Sequence, residues 1–167
     1  LMYDANAGVF NYILFKIGLI KDFIYWLSDA DIALYSVMAL VIWKGTPFHG
    51  IMLLAGLQSI PNELYEAAEV DGASVFHKFL HITLPSLKDV IIIVYLLSSI
   101  WTFHSFQFVY VLTGGGPSHS TQIFPVLSYE LGIANMRLGM GAAVSIISVP
   151  FIFILIILLT RKLIREE

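Results

Sequence analysis

The chain has 167 residues, of which 58% are hydrophobic and 13% are charged, and its mean hydropathy is +0.84. Soluble domains carry about a quarter charged residues, so we expect an all-α protein, a polytopic helical bundle embedded in membrane lipid. The absence of cysteine excludes disulfides and thiolate metal sites, and a net charge of −3 offers no basic surface for nucleic acid.

Residues 1–30 are mixed in composition and are predicted to form an external loop or interfacial segment. Trp26 is placed like an aromatic anchor at a membrane interface. The first residues lack the basic region, apolar run and cleavage site of a signal peptide, and the chain begins on what reads as a loop. We therefore expect a fragment or the remnant of a longer protein.

The next segment, 31–60, is apolar and is predicted to be a transmembrane helix that kinks near residues 45–47. Its apolar run is interrupted by Lys44-Gly45-Thr46-Pro47, so one long bent helix and two shorter helices are both open. Because Lys44 would be costly at the bilayer centre, we favour a span over about 31–51, with Lys44 near an interface.

Two uninterrupted apolar runs, 90–112 and 139–160, are each long enough to cross a bilayer as a helix, which takes about 20 residues. Pro150 lies near the middle of the second run and should kink that helix rather than end it. The stretch between the runs opens with Thr113-Gly114-Gly115-Gly116-Pro117, which is typical of turns.

Lysine and arginine set the orientation, because cytoplasmic loops are enriched in both. The loop 61–88 has two such residues and the tail 161–167 has three, whereas the loop 113–138 has one. With three spans, the loop 61–88 and the tail lie on the same side and are predicted to be cytoplasmic. The predicted regions are external loop 1–30, span 31–60, cytoplasmic loop 61–88, span 89–112, external loop 113–138, span 139–160 and tail 161–167.

The loop 61–88 has the pattern of two short helices joined by a turn. Asn62 is placed to cap the first helix, and Gly72 gives a break at which a positive φ costs nothing. A second helical segment follows and ends at Pro85. Its apolar residues share one face: Phe76, Phe79 and Leu80. On periodicity alone, an ordinary surface helix packed on its own protein explains the pattern equally well.

The identity of the residues favours a more specific interpretation. They follow one another as Glu66-Ala67-Ala68, Asp71-Gly72-Ala73, Phe79, Ile82 and Leu84-Pro85. With this spacing the segment resembles the EAA loop of permease subunits of binding-protein-dependent ABC importers of the carbohydrate-uptake type, such as maltose and glycerol 3-phosphate permeases. Other stretches that look like sugar-importer segments are Gly8-Val9-Phe10-Asn11, 55–61, 112–117 and 138–143.

The resemblance implies a mechanism and a set of partners. In the family, the EAA loop forms a coupling helix in a cleft of an ATP-binding cassette subunit, and closure of two such subunits rocks the transmembrane helices between inward-open and outward-open states. A second permease subunit, identical or different, pairs with the first, and an extracytoplasmic solute-binding protein delivers a carbohydrate solute. Carried over by position, the coupling residues would be Glu66, Ala67, Ala68, Asp71 and Gly72.

The same resemblance implies a transporter subunit rather than an enzyme, with no cofactor and no bound metal. ATP would be hydrolysed by the separate partner subunit, and the permease would lie in the plasma or inner membrane as a multi-pass protein. Family permeases usually have six transmembrane helices, and the chain matches about the last three. We therefore expect the C-terminal part of an importer permease, unable to transport by itself.

Polar residues within the run 90–112 are candidates for a solute pathway, because polar groups in a span face the bundle interior or a water-filled path. The residues selected are Ser98, Trp101, Thr102, Ser105 and Gln107. The alternative is that these side chains hold helices together. An intramembrane hydrolase is a weak alternative function, because neither 90–112 nor 139–160 contains Asp or Glu. A channel or structural subunit without ATP coupling is disfavoured by the EAA loop.

Two smaller patterns remain. His77 and His81 are four residues apart, as in a metal site, but no third ligand is close in sequence, so no metal site is predicted. Small residues near the start of the last run predict close helix packing. They are Gly139, Gly141, Ala142, Ala143 and Ser145.

Overall fold

A computed structural model gives the fold of residues 2–164, in which all regular structure is helical. The expected all-α class is therefore confirmed. The helices are α1 (Val9–Lys16), α2 (Ala33–Gln58), α3 (Asn62–Val70), α4 (Val75–Lys78), α5 (Leu84–Ser86), α6 (Lys88–Phe103), α7 (Phe106–Thr113), α8 (Phe124–Tyr129) and α9 (Leu138–Ile164). A π-helical turn, Phe79–Thr83, joins α4 to α5, and a second, Glu130–Ala134, extends α8. Residues 165–167 of the predicted tail lie outside the described residues.

Among the described residues, two helices are long and apolar enough to cross a membrane. These are α2, with a mean hydropathy of 1.4, and α9 over Leu138–Arg161, with a mean hydropathy of 2.9. A third candidate arises if Val75–Ser86 and α6, which meet at a bend of 60°, count as one broken span.

Helix α2 is a single helix through the interruption seen in the sequence. Pro47 lies inside it and cannot donate a hydrogen bond to the carbonyl four residues earlier. The helix nevertheless continues to Gln58, because one missing hydrogen bond is tolerated in a long apolar helix with neighbours. Pro150 is tolerated in the same way within α9.

The second apolar run differs from the single helix expected over 89–112. It is broken between α6 and α7, where Ser105 has ψ 46 and the N–H of Phe106 donates to the carbonyl of His104 at 2.7 Å. Thr, Phe, His and Ser, which cluster at the break, have only intermediate helix propensity. With 16 residues, α6 is about 24 Å long at 1.5 Å per residue.

The chain divides into two compact units. One contains the described residues up to Ile42 and His104–Pro150, and the other contains Trp43–Phe103 and the described residues from Phe151 on. In the first unit, buried Val37, Val109 and Val126 form the core. The predicted turn after α7 is present, with Gly114 at φ 61 accepting the left-handed conformation. The loop 113–138 also contains α8, which its turn-rich opening did not indicate.

The small residues of α9 pack closely where Gly141 meets the π-helical turn after α8. A Cβ at Gly141 would lie 2.5 Å from Cα of Gly132 and 2.7 Å from the carbonyl oxygen of Ser128. The Ser128 hydroxyl donates to the Gly141 carbonyl at 2.8 Å and lies 2.7 Å from Oγ of Ser145. Close packing is thus confirmed at Gly141, whereas a Cβ at Gly139 would meet no atom within 4 Å.

The segment before α2 is held together by Asn11, which is 1% exposed. Its Nδ2 donates to the carbonyls of Ala5 and Ile24, and its Oδ1 accepts from the Trp26 indole N–H at 2.9 Å. The Trp26 ring also packs on Phe10. The Trp26 indole N–H is thus used inside the segment, because a buried Asn needs partners for both amide atoms. That Trp26 lies at a membrane interface stays a prediction.

Candidate functional site

The loop between α2 and α6 is a helical hairpin whose turn depends on Gly72. The N–H of Gly72 donates to the carbonyl of Glu69 at 3.0 Å, and that of Ala73 donates to the carbonyl of Ala68 at 2.9 Å. This pair of bonds is a Schellman motif, in which the residue after the helix adopts a left-handed conformation. Gly72 has φ 75, so the predicted positive φ is confirmed.

The beginning of the hairpin differs from the expectation. Asn62 is already helical, and Pro61, whose side chain cannot accept a hydrogen bond, stands at the cap position. The prediction that Asn62 caps α3 is therefore wrong. Pro61 fixes φ at −60 and so prepares the chain for the helix without a side-chain cap.

The second arm of the hairpin begins at Ser74, whose Oγ accepts from the N–H of His77 at 3.3 Å. It passes through the π-helical turn and continues over Pro85 to Ser86, so Pro85 does not end it as expected. Proline lacks the N–H that the carbonyl four residues earlier would receive. The π-helical turn immediately precedes this gap, and the change of direction follows at residue 87.

Two contacts join the arms of the hairpin. Nζ of Lys78 lies 2.7 Å from Oε1 of Glu69, and the hydroxyls of Tyr65 and Thr83 lie 2.8 Å apart. The hydrogen bond and the positive charge of Lys78 hold the pKa of the Glu69 carboxyl below its ordinary value. The two arms are thus connected at two points, one near the turn and one farther along the hairpin.

The hairpin presents apolar side chains at its surface. Val70 and Val75, which flank the Gly72 turn, are 88% and 81% exposed, and Phe76 is 70% exposed. Phe79 and Leu80 are exposed as well. The predicted coupling residues are on the first arm and its turn: Glu66, Ala67, Asp71 and Gly72 are exposed and Ala68 is half-buried.

His77 and His81 share one face of the second arm, as their spacing predicts. Their rings stack with centroids 4.0 Å apart, and Nδ1 of His81 lies 3.1 Å from the carbonyl oxygen of His77. In the described part of the chain, no group of three or more His, Cys, Asp or Glu side chains is arranged to hold a metal ion.

The candidate pathway residues fall on both sides of the break after α6. Ser98, Trp101 and Thr102 lie on α6 in the second unit, whereas Ser105 precedes α7 and Gln107 lies within it, in the first unit. Within the second unit, Trp101 packs edge to face on Phe48 of α2, with centroids 4.9 Å apart. More than half of the Trp101 side chain remains exposed.

Ser98 has a partner that the sequence analysis missed. Nε2 of His49 lies 2.6 Å from Oγ of Ser98, and Nδ1 of His49 lies 2.6 Å from the carbonyl oxygen of Gly45. A carbonyl oxygen only accepts, so Nδ1 carries a proton, and in the neutral ring Nε2 accepts the proton of Ser98. Oγ of Ser98 then keeps lone pairs for another donor. The signal available in the sequence was His49 itself, because an ionisable residue within an apolar helix of membrane-spanning length usually has a functional role.

Comparison with known proteins identifies the class. Residues 6–161 match the family of the binding-protein-dependent transport system inner membrane component. The chain therefore belongs to this family. Its members are components of transporters rather than enzymes, and they reside in the inner membrane, in keeping with the apolar helices α2 and α9.

Individual relatives show what this chain is similar to. It is 43% identical over 151 residues to the trehalose/maltose transport system permease protein MalF of Thermococcus litoralis, covering 89% of this chain and 49% of that protein. It is 36% identical over 168 residues to the diacetylchitobiose uptake system permease protein DasB of Streptomyces coelicolor, covering 99% and 51%.

A solved structure has the same fold. The crystal structure of a bacterial ABC transporter involved in the import of the acidic polysaccharide alginate matches with a TM-score of 0.85 and 25% identity, over 98% of this chain and 57% of that chain. The resemblance to importer permeases is thus confirmed. The chain spans about half the length of the curated relatives it matches.

Proposed function

We propose that this chain is part of the permease subunit of an ATP-driven carbohydrate importer. The hairpin Asn62–Ser86 docks in a cleft of an ATP-binding cassette subunit, and Glu66, Ala67, Ala68, Asp71 and Gly72 form the coupling element. A second permease subunit, identical or different, pairs with this one, and an extracytoplasmic binding protein delivers the solute.

The exposed hairpin is the observation that carries the proposal. It lies between two apolar helices, it is stiffened by two contacts between its arms, and it exposes Val70, Val75 and Phe76 around the turn. An exposed apolar surface of this kind marks a contact with a protein partner or with the membrane, and the resemblance of the loop to the EAA loop favours a protein partner. Charged residues beside it, such as Glu66 and Asp71, supply a polar rim.

The carbohydrate class of the solute rests on the relatives and on the side chains near Ser98. The names of the relatives refer to trehalose and maltose, to diacetylchitobiose and to alginate. A sugar offers hydroxyl donors and an apolar ring face. Oγ of Ser98 has free acceptor capacity, and the exposed ring of Trp101 offers an aromatic surface. Thr102, and in the other unit Ser105 and Gln107, stay candidates for contact with solute.

Reconstitution tests the proposal. The whole permease, its ATP-binding subunits, its second permease subunit and its binding protein are placed in proteoliposomes, and uptake of radiolabelled maltose, trehalose and diacetylchitobiose is measured with and without internal ATP. ATP-dependent uptake of at least one of these sugars, abolished by omitting the binding protein, is expected. Uptake of amino acids or metal ions in place of any sugar would contradict the proposed solute class.

A further inference from the structure

The bend between the hairpin and α6 is centred on Leu87. Helix Val75–Ser86 and α6 meet there at 60°, and Leu87 is 7% exposed although the hairpin beside it is largely exposed. Resting on the proposed function, we propose that Leu87 seated on Gly56 of α2 is the pivot through which movement of the hairpin reaches α6. Gly56 and Leu87 are then positioning residues for coupling.

The seat depends on the missing side chain of Gly56. A Cβ there would lie 2.8 Å from Cδ2 of Leu87 and 3.1 and 3.3 Å from the two methyl carbons of Val90. Leu87 can turn its terminal methyl away, but valine is stiff about χ1, and both of its methyls face the site. A side chain at residue 56 therefore displaces Leu87 and needs Val90 to shift by a few tenths of an ångström, and the displacement grows with the size of the side chain.

Leu87 is hydrogen-bonded to the helices on both sides of the bend. Its N–H donates to the carbonyl of Thr83 at 3.0 Å, and its carbonyl accepts from the N–H of Ile91 at 2.9 Å. On the other side of the bend, the Glu69–Lys78 ion pair and the Tyr65–Thr83 hydrogen bond connect the two arms of the hairpin.

Together these features allow the hairpin to act as a lever on α6. When the exposed turn of the hairpin is displaced, the hairpin must rotate about the point at which it joins α6. At that point the buried Leu87 side chain packs against Gly56. Packed interfaces of this kind have discrete arrangements rather than continuous ones. The fit between residues 56 and 87 therefore determines whether a displacement of the hairpin moves α6.

A size exchange tests the pivot in the reconstituted transporter. Gly56→Leu fills the space between α2 and Leu87, and Leu87→Ala leaves that space empty. The double variant places the large side chain on α2 and the small one at residue 87. Gly50→Leu is the matched control, because Gly50 lies in the same helix and a Cβ there would meet no atom within 4 Å. Uptake, basal and solute-stimulated ATP hydrolysis, and the amount of assembled complex are measured for each.

Each single change at the seat is expected to lower the maximal rate of solute-stimulated ATP hydrolysis by at least about fivefold, the lower range of coupling effects. The KM for solute, basal hydrolysis and assembly should be unchanged. The double variant should recover most of the loss, and Gly50→Leu should stay within about twofold of wild type. If Gly56→Leu does not assemble, the same measurements are made on Leu87→Ala and on Gly56→Ala, which adds a smaller side chain.

The pivot is overturned if Leu87→Ala or an assembled Gly56→Leu couples like wild type, or if the double variant is no better than the single ones. It is also overturned if basal hydrolysis and stability fall in proportion, because that marks ordinary packing. A wild-type complex without solute-stimulated hydrolysis would instead overturn the proposed function, and the pivot with it.

Discussion

Nζ of Lys78 lies 2.7 Å from Oε1 of Glu69, so an ion pair connects the two helices on either side of Gly72. The folded-state pKa of Glu69 is lowered from 4.5, so the contribution of the pair is complete above that pH and is lost as the pH falls through the lowered pKa. Lys78→Met should move the pKa of Glu69 up towards its ordinary value. The carboxyl carbon-13 shift of Glu69, identified with Glu69→Gln, measures this, and Lys21→Met is the control. An unchanged midpoint in Lys78→Met would show that the pair does not form in solution.

A change at Ser98 should affect solute affinity. Ser98→Ala removes an acceptor and leaves Nε2 of His49 without its hydroxyl partner, so the KM for the sugar should rise about threefold to tenfold, equivalent to one hydrogen bond. Ser99→Ala is the matched control, because Oγ of Ser99 donates within its own helix to the carbonyl of Tyr95. Equal effects of the two changes would remove Ser98 from the pathway.

The close crossing at Gly141 should be intolerant of any larger residue. Gly141→Leu places its Cβ within 2.5 Å of a backbone carbon, and overpacking of this kind costs about 1–3 kcal/mol or more. We expect a clearly lower thermal midpoint in detergent, measured by intrinsic fluorescence. Gly139→Leu, in the same helix but facing open space, should melt like wild type. A wild-type midpoint for Gly141→Leu would mean that α8 and α9 do not approach each other in this way.

The orientation in the membrane can be read from accessibility. Because the chain has no cysteine, single cysteines at exposed Val70 and Asn135 are unambiguous reporters. In intact cells that express the whole permease without its ATP-binding subunits, which would otherwise cover the hairpin, an impermeant maleimide should label Asn135→Cys only, and Val70→Cys should react after the membrane is opened. Labelling of Val70→Cys alone in intact cells would reverse the predicted topology.

Much of the hairpin Asn62–Ser86 could be predicted because its signals are local. Gly72 stands between two short amphipathic stretches, and a left-handed residue is what such a turn requires. The capping of α3 could not be predicted in the same way, since Pro61 and Asn62 are both common at helix starts. The hydrogen bond of the Trp26 indole could not be predicted either, because its partner, Asn11, lies fifteen residues away in the sequence.

The candidate pathway was harder to predict because its contacts join residues that are far apart in the sequence. Ser98 was selected for its polarity within an apolar run, but its partner, His49, lies on another helix 49 residues earlier. The break at His104 and Ser105 could not be predicted, because hydropathy alone does not distinguish a continuous span from two helices joined by two non-helical residues. The close approach at Gly141 was predicted from its small neighbours, whereas its partner, Gly132, was not.

The most direct test of the account is solute-stimulated ATP hydrolysis by the reconstituted transporter carrying Gly72→Val. A left-handed conformation costs a residue with a Cβ about 1–2 kcal/mol, and a β-branched side chain should open the hairpin turn. A Cβ at residue 72 would meet no atom within 4 Å, so Gly72→Asn, which tolerates the conformation, should couple normally. Gly114→Val is the matched control, since Gly114 also has a positive φ and open space but lies at the end of α7. We expect Gly72→Val to assemble yet to lose stimulated hydrolysis and uptake together, whereas Gly114→Val and Gly72→Asn should retain both. Wild-type stimulation in Gly72→Val would contradict coupling through the hairpin.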